Sequence, residues 1–136
     1  MTLRLAEECI RRAKLKASAL RITVSIAVVD DAGSLVAYAR MRERPIAIGE
    51  RKTIAKARTA VNYKKDTMTL MKEFTGADYP GNYFIIGMSA MYPDEFWGGP
   101  GGVPIIVHGE VIGAVGVAGS TGENDHECAT AGAGKR

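Results

Sequence analysis

The expected architecture of the chain follows from residues 98–127, which read GGPGGVPIIVHGEVIGAVGVAGSTGENDHE. This stretch contains two apolar runs, Val103–Val107 and Val111–Val117, whose β-branched residues are typical of strands. The short turn at His108 and Gly109 predicts that these strands form an antiparallel hairpin. Glycine recurs every third residue in and just after the second run, so we expect a helix, a second subunit or a ligand close to that backbone.

The segments before this hairpin predict a second hairpin between two helices. An amphipathic pattern indicates a first helix over Leu5–Ala19, and Thr2 is a possible N-cap that would start this helix a few residues earlier. Strands are predicted over Ile22–Val29 and Leu35–Arg40, joined by turn residues 30–34. The alanine-rich segment Ala47–Tyr63 predicts the longest helix, and its small side chains allow it to lie close to a sheet.

Shorter elements complete the predicted order. A short helix that Asp66 or Thr67 caps is expected to end near Phe74, and Thr121 or Asn124 can cap a last helix. Ile85-Ile86 is interpreted as the start of a short strand within an aromatic-rich segment. The chain is therefore expected to be one α+β domain, residues 1–136, with a five-stranded, mainly antiparallel sheet packed with helices.

Composition narrows the class of protein. Hydrophobic residues make up 46% of the 136 residues and charged residues 24%, which is ordinary for a globular protein. No apolar run approaches the roughly 20 residues that a membrane-spanning helix needs. The N-terminus lacks an apolar signal-peptide core, so we expect a cytoplasmic protein without a membrane partner. The net charge of +3 is mild and no nucleic-acid motif accompanies it, so we expect no nucleic-acid partner.

Three stretches together resemble one known family. They are GGVPIIVHGEVIGAVGVAGSTGENDHE at residues 101–127, VSIAVVDDAGSLVAYARM at Val24–Met41 and IAKARTAV at Ile54–Val61. They are similar to the GlcG/HbpS family of small haem-binding or haem-degrading-type domains, which also forms the C-terminal half of some PduO-type cobalamin adenosyltransferases. The resemblance implies a profilin-like sandwich, homo-oligomers, and a small ligand such as haem or a related tetrapyrrole. It also implies a role accessory to a catabolic pathway.

A haem site needs an axial ligand, which is most often histidine. His126, at the start of the predicted last helix, is the candidate metal ligand, and the alternative is an ordinary surface histidine. His108 lies in the predicted hairpin turn, where an exposed side chain is expected. Cys9 and Met41 are softer alternatives.

An anion site is the second interpretation. Lys56 and Arg58 match the family's KARTA segment, and arginine suits bidentate recognition of a carboxylate. We hypothesise that the ligand-binding set comprises Lys56, Arg58, Gly102, Pro104, Gly116 and Thr121. The alternative is that Arg58 pairs with Glu123 or Asp125 and ties a helix to the last loop.

The competing function is an enzyme that acts on a small carboxylated or aromatic catabolite. Arg58 and Lys56 would hold its anionic group, and the aromatic residues between Tyr83 and Trp97 would hold a ring. Glu123 or Asp125 would then transfer a proton. No nucleophile elbow or metal-binding helix motif is present in the sequence.

Overall fold

The computed structural model describes residues 1–44 and 48–135. The chain forms five α-helices, four strands and one short 3₁₀ turn over these residues. In chain order the elements are α1 (Leu3–Ala19), β1 (Ser25–Asp30), β2 (Leu35–Arg40), α2 (Gly49–Tyr63), α3 (Thr67–Phe74), the 3₁₀ turn (Pro80–Asn82), α4 (Tyr83–Met91), β3 (Gly102–Val107), β4 (Glu110–Ala118) and α5 (Gly122–Gly132). The predicted start of α2 at Ala47 lies outside the described residues.

Both predicted hairpins join the same antiparallel sheet. The strand order is β2-β1-β4-β3, so the two hairpins meet where β1 pairs with β4, with Ile26 opposite Val117. The α+β class is confirmed, but the predicted fifth strand is wrong, because the described sheet has four strands. The residues predicted to begin that strand lie in α4, where Phe84, Ile85 and Met88 pack at helical spacing against the side chains of α3.

Two helices cover one face of the sheet. The buried residues of α1 recur every three or four positions, which makes one apolar stripe: Ala6, Cys9, Ala13 and Ala17. This stripe packs with Cys128 and Ala129 of α5 against the valines and isoleucines of the sheet. Both cysteines are free thiols within this core.

The single helix α2 covers the opposite face and approaches the sheet closely. A Cβ atom added at Gly116 would meet the carbonyl oxygen of Thr53, and one added at Gly102 would meet the carbonyl oxygen of Lys56. These glycines therefore let the helix backbone lie directly on β3 and β4. A helix, a second subunit or a ligand was expected beside the glycine-rich strand, and helix α2 lies there.

Side-chain caps fix the ends of three helices. The hydroxyl oxygen of Thr2 accepts a hydrogen bond from the Leu5 amide, and that of Thr121 accepts one from the Asn124 amide. A carboxylate oxygen of Asp66 accepts a hydrogen bond from the Thr69 amide, at 2.9 Å. The caps predicted for these three helices are confirmed, with Asp66 and Thr121 chosen from the alternatives.

An aromatic cluster lies beside the end of α2. Phe74 of α3 is its centre, with ring centroids 4.4 Å from Phe84 and 6.5 Å from Phe96. This cluster seats α3 and α4 against the segment that leads into β3. Each helix in the described part of the chain is too short or too polar to cross a bilayer.

Candidate functional site

A buried ion pair joins α2 to the start of α5. The ammonium nitrogen of Lys56 lies 3.0 Å from Oδ2 of Asp125 and donates a second hydrogen bond to the Val117 carbonyl at 2.9 Å. The other carboxylate oxygen of Asp125 accepts a hydrogen bond from the Ser120 amide. Burial lowers the pKa of Lys56 and raises the pKa of Asp125, although each partner's charge opposes that change. The two groups neutralise each other's charge inside the fold, so we assign them a structural role.

Arg58 points away from this pair. Its Nε donates to the Gly33 carbonyl at 2.9 Å, and its Nη1 donates to the Asp94 carbonyl at 3.1 Å and lies 3.3 Å from the Glu95 carboxylate. The alternative in which Arg58 pairs with Glu123 or Asp125 is therefore wrong. Residues two positions apart on a helix point about 200° apart around its axis, so Lys56 and Arg58 cannot face one ligand together.

The other predicted ligand-binding and catalytic residues do not converge on one cavity. Gly102, Pro104 and Gly116 are buried in the sheet, and the two glycines lie under the backbone of α2. Thr121 is exposed and caps α5, and Glu123 is exposed in the first turn of that helix. The structure brings together Lys56, Asp125 and the Gly101-Gly102 backbone, and separates them from the exposed groups.

His126 lies in an open groove between α1 and α5, whose lining residues are mainly charged or hydroxyl-bearing. Its Nδ1 atom is buried, accepts or donates no hydrogen bond among the described residues, and lies 4.0 Å from a carboxylate oxygen of Asp66. The groove has a volume of about 370 Å³ and is also lined by Lys16, Glu127, Thr130, Ala131 and Lys135. Across residues 1–44 and 48–135, no three histidine, cysteine or acidic side chains are grouped as metal ligands.

The groove at His126 does not enclose a haem by itself. A bound porphyrin needs apolar walls around its ring, and this groove is open and has no large apolar or aromatic side chain in its lining. His108 is exposed at the tip of the β3–β4 hairpin. Burial raises the pKa of the Cys9 thiol, and it raises that of Cys128 to about 11, so neither side chain is available as a thiolate ligand near neutral pH.

A cleft beside the N-terminal half of α2 combines cations with an aromatic ring. We name it the α2 cleft; it has a volume of about 270 Å³ and is lined by Ile48, Arg51, Lys52, Ser89, Pro93, Asp94, Phe96 and Trp97. The ammonium of Lys52 lies 5.7 Å from the centre of the Trp97 ring, within the range of a cation–π contact. Nε of Arg51 donates to a carboxylate oxygen of Asp94 at 2.7 Å. This is the arrangement among the described residues that best suits a small anionic ligand.

Sequence reasoning missed Arg51 and Lys52. It identified the aromatic segment as a place for a ring, and Trp97 of that segment does line the cleft. Lys52 lies one helical turn before Lys56, so the two lysines share one side of α2, with Lys56 buried and Lys52 partly exposed. The four-residue spacing between Lys52 and Lys56 was the sequence signal that could have identified Lys52.

The segment 94–97 is held onto α2 and separates the α2 cleft from a second cavity. The Trp97 amide donates to the hydroxyl of Thr59 at 2.8 Å, and Arg51 and Arg58 hold Asp94. On the far side of this segment is the α4 groove, about 240 Å³, lined by Thr59, Asn62, Tyr63, Met88, Tyr92, Glu95 and Phe96. Phe96 lines both cavities.

Comparison with known proteins places this architecture in one family. A family model described as "Haem degrading protein HbpS-like" matches residues 1–134. The chain is 31% identical, over 92% of its length and 84% of the other's, to an uncharacterized 15.0 kDa protein of the dhaT-dhaS intergenic region of Citrobacter freundii. The crystal structure of Klebsiella pneumoniae protein ORFY superimposes with a TM-score of 0.83 at 30% identity, covering 98% of this chain and 88% of that one. A variant of HbpS from Streptomyces reticuli does so with a TM-score of 0.81 at 27% identity, covering 98% and 85%. The chain belongs to the HbpS-like family.

Proposed function

We propose that the protein is a small-ligand-binding domain whose ligand is a small aromatic carboxylate held in the α2 cleft. The observation that carries the proposal is the position of the Lys52 ammonium beside the Trp97 ring, at a distance of 5.7 Å. A ligand that has both a flat apolar ring and a negative charge would match both groups at once. Arg51 lies beside Lys52 and adds a second cation to the same wall.

The size of the cleft limits the ligand to a small molecule. Pockets for drug-sized ligands start at about 300 Å³, and the α2 cleft, at about 270 Å³, lies just below that range. A single substituted ring fits this volume, whereas a tetrapyrrole does not. Phe96, Pro93 and Trp97 supply the apolar surface that such a ring needs.

Binding is favoured over turnover at this cleft. Glu123 and Asp125, the carboxylates considered for proton transfer, lie outside its lining. The carboxylate that does line it, Asp94, is held by Arg51, and this ion pair lowers the pKa of Asp94. A carboxylate that stays ionised cannot act as a general acid near neutral pH, and its lowered pKa and its ion pair with Arg51 make Asp94 a weak general base as well.

Haem is the second candidate, because the family is described by haem degradation and because His126 has a buried ring nitrogen without a hydrogen-bond partner among the described residues. Lys16 and Lys135 in the same groove could accept acidic substituents of a tetrapyrrole. The groove is open and has no large apolar side chain in its lining, so a haem bound there would need a second surface to cover it.

We also propose that the chain forms homo-oligomers. No residue of α4 is buried, although the helix is apolar on most sides, and Tyr83, Ile86 and Met91 are 57%, 64% and 70% exposed. Large apolar side chains left exposed on one element often mark a protein–protein contact surface. A second copy of this chain would remove it from water.

Titration with benzoate and with its neutral isostere benzamide tests the proposed ligand class. Trp97 is the single tryptophan of the chain, so its fluorescence reports on the α2 cleft directly. We expect saturable binding of benzoate and binding of benzamide weaker by about tenfold or more, because benzamide has no negative charge with which to form an ion pair with Lys52. Lys52→Met should abolish this preference, and Lys14→Met, on the exposed side of α1, should leave it unchanged.

A haemin titration followed by absorbance separates the two candidates. A Soret shift that saturates at a fixed stoichiometry, and that His126→Ala removes, would favour haem over the aromatic carboxylate. Equal binding of benzoate and benzamide, or no saturable effect of either on Trp97, would reject the proposed function at the α2 cleft.

A further inference from the structure

The α4 groove differs in chemistry from the α2 cleft, although Phe96 lines both. Its walls combine aromatic rings and a thioether, and its charged lining residue is Glu95. The α2 cleft instead contains Arg51 and Lys52 beside a single carboxylate. The two cavities therefore suit ligands of opposite charge.

Two rings of the groove form a corner. The centroids of Tyr63 and Phe96 lie 6.2 Å apart and their planes are inclined by 73°. The face of an aromatic ring is electronegative, so a cation seated in such a corner is attracted by the rings that surround it. Tyr92 contributes a third aromatic side chain to the lining, and the polarisable thioether of Met88 lies among them.

The phenol of Tyr63 stays neutral near physiological pH. Burial raises its pKa, and the neighbouring phenols of Tyr79 and Tyr92 act in the same direction. The Glu95 side chain is 54% exposed and places a negative charge at the rim of the groove; Nη1 of Arg58, 3.3 Å from one of its carboxylate oxygens, offsets part of that charge.

We infer that the α4 groove is a second binding site, and that it takes a small quaternary or methylated ammonium group. Such a cation is weakly hydrated for its charge, so it loses less on leaving water than a primary ammonium does, and aromatic side chains compensate for that loss. The volume of about 240 Å³ admits one such head group with a short chain. This inference would hold even if the α2 cleft bound a different ligand.

Choline and 3,3-dimethylbutan-1-ol provide a matched test, because they have nearly the same shape and differ in the positive charge. Their binding is measured by amide and side-chain NMR shifts of the whole protein, with sodium chloride as the control for ionic strength. We expect choline to shift the signals of Asn62 and Met88 saturably and to bind about tenfold more tightly than the neutral alcohol.

Two variants attribute the preference to the groove. Tyr92→Leu removes an aromatic face but keeps apolar bulk, and Glu95→Gln removes only the rim charge; each should reduce the preference for choline several-fold. Tyr83→Leu alters an exposed tyrosine at the other end of α4 and should leave it unchanged. Equal affinity for the two compounds would make the groove merely apolar and would overturn the inference. So would the lack of a saturable shift with choline, or a preference that survives both Tyr92→Leu and Glu95→Gln.

Discussion

The ammonium nitrogen of Lys56 and a carboxylate oxygen of Asp125 lie 3.0 Å apart, with each side chain only 5% exposed. The pair connects the middle of α2 to the first turn of α5 across the end of β4. Because α2 and α5 cover opposite faces of the sheet, this contact links the two outer layers of the fold. Lys56 and Asp125 come from two of the stretches that carry the family resemblance, and their contact brings those two stretches together.

Removal of one partner of this pair should be costly. Lys56→Met leaves the Asp125 carboxylate buried without its cation, and the loss in the free energy of unfolding should be about 3–5 kcal/mol. Lys56→Met combined with Asp125→Asn removes both charges and keeps an acceptor for the Ser120 amide, so it should be more stable than Lys56→Met alone. Urea unfolding followed by circular dichroism measures both.

The exposed pair of Lys65 and Glu73 provides the control for that experiment. Its atoms lie 2.9 Å apart, but both side chains are 46% exposed. Lys65→Met should therefore cost less than about 1 kcal/mol. If Lys56→Met cost as little unfolding free energy as Lys65→Met, the buried pair would contribute little to holding the two helical layers together.

The cap of α3 should make stability depend on acid. Burial alone would raise the pKa of Asp66, but the hydrogen bonds that it accepts from Thr69 and the nearby charges of His126 and Lys135 lower it overall. A carboxyl whose pKa is lower in the folded than in the unfolded chain stabilises the fold above its ordinary pKa of 3.8, and this contribution disappears as pH falls through the folded value.

Asp66→Asn isolates this effect, because asparagine also caps helices but does not titrate. The wild type should exceed Asp66→Asn in stability at neutral pH, and the difference should vanish in acid below the folded pKa of Asp66. Denaturant midpoints measured from pH 7 downward test this. A difference between the two proteins that is the same at every pH would mean that the charge of Asp66 contributes nothing.

Local sequence signals were sufficient for most of the fold. The β3–β4 hairpin followed from two apolar runs on either side of the turn at His108-Gly109, and the caps at Thr2, Asp66 and Thr121 followed from residue type and position. The predicted strand at Ile85-Ile86 was wrong because a short apolar run has no period of its own, and packing against α3 determines its structure. Interactions between distant segments were the missing information.

The candidate site was less predictable for the same reason. A matching KARTA segment made Lys56 and Arg58 candidates for one anion site, but helical geometry places them on different sides of α2. The partners of each, Asp125 for Lys56 and Gly33 with Asp94 for Arg58, are distant in sequence. Trp97 and Lys52 meet because Thr59 holds the Trp97 backbone, a contact that no local pattern indicates.

Gly116 should tolerate no larger side chain. A Cβ there would meet the Thr53 carbonyl and the backbone nitrogen of Ala57, so Gly116→Ala must push α2 away from β4. Overpacking of this kind costs about 1–3 kcal/mol. We expect a cost near the upper end of that range, because both contacts are with backbone atoms of α2. Gly87→Ala is the matched control, because a Cβ at Gly87 meets nothing within 4 Å and alanine favours the helix. Thermal unfolding should show a lower Tm for the first variant and an unchanged or higher Tm for the second.

The exposed side of α4 should control assembly. Ile86 is 64% exposed on a helix that buries no residue within the chain, so Ile86→Glu should leave the monomer folded. If a second copy covers this surface, the buried glutamate would lose its hydration, and an oligomer should dissociate at concentrations at which the wild type is assembled. Size-exclusion chromatography with light scattering gives the masses, and circular dichroism confirms that the variant is folded.

Leu15→Glu provides the control, since Leu15 is 58% exposed on α1, away from α4. A wild type that remains monomeric at high concentration would contradict the proposed assembly, and an Ile86→Glu variant with the wild-type mass would exclude α4 as its interface.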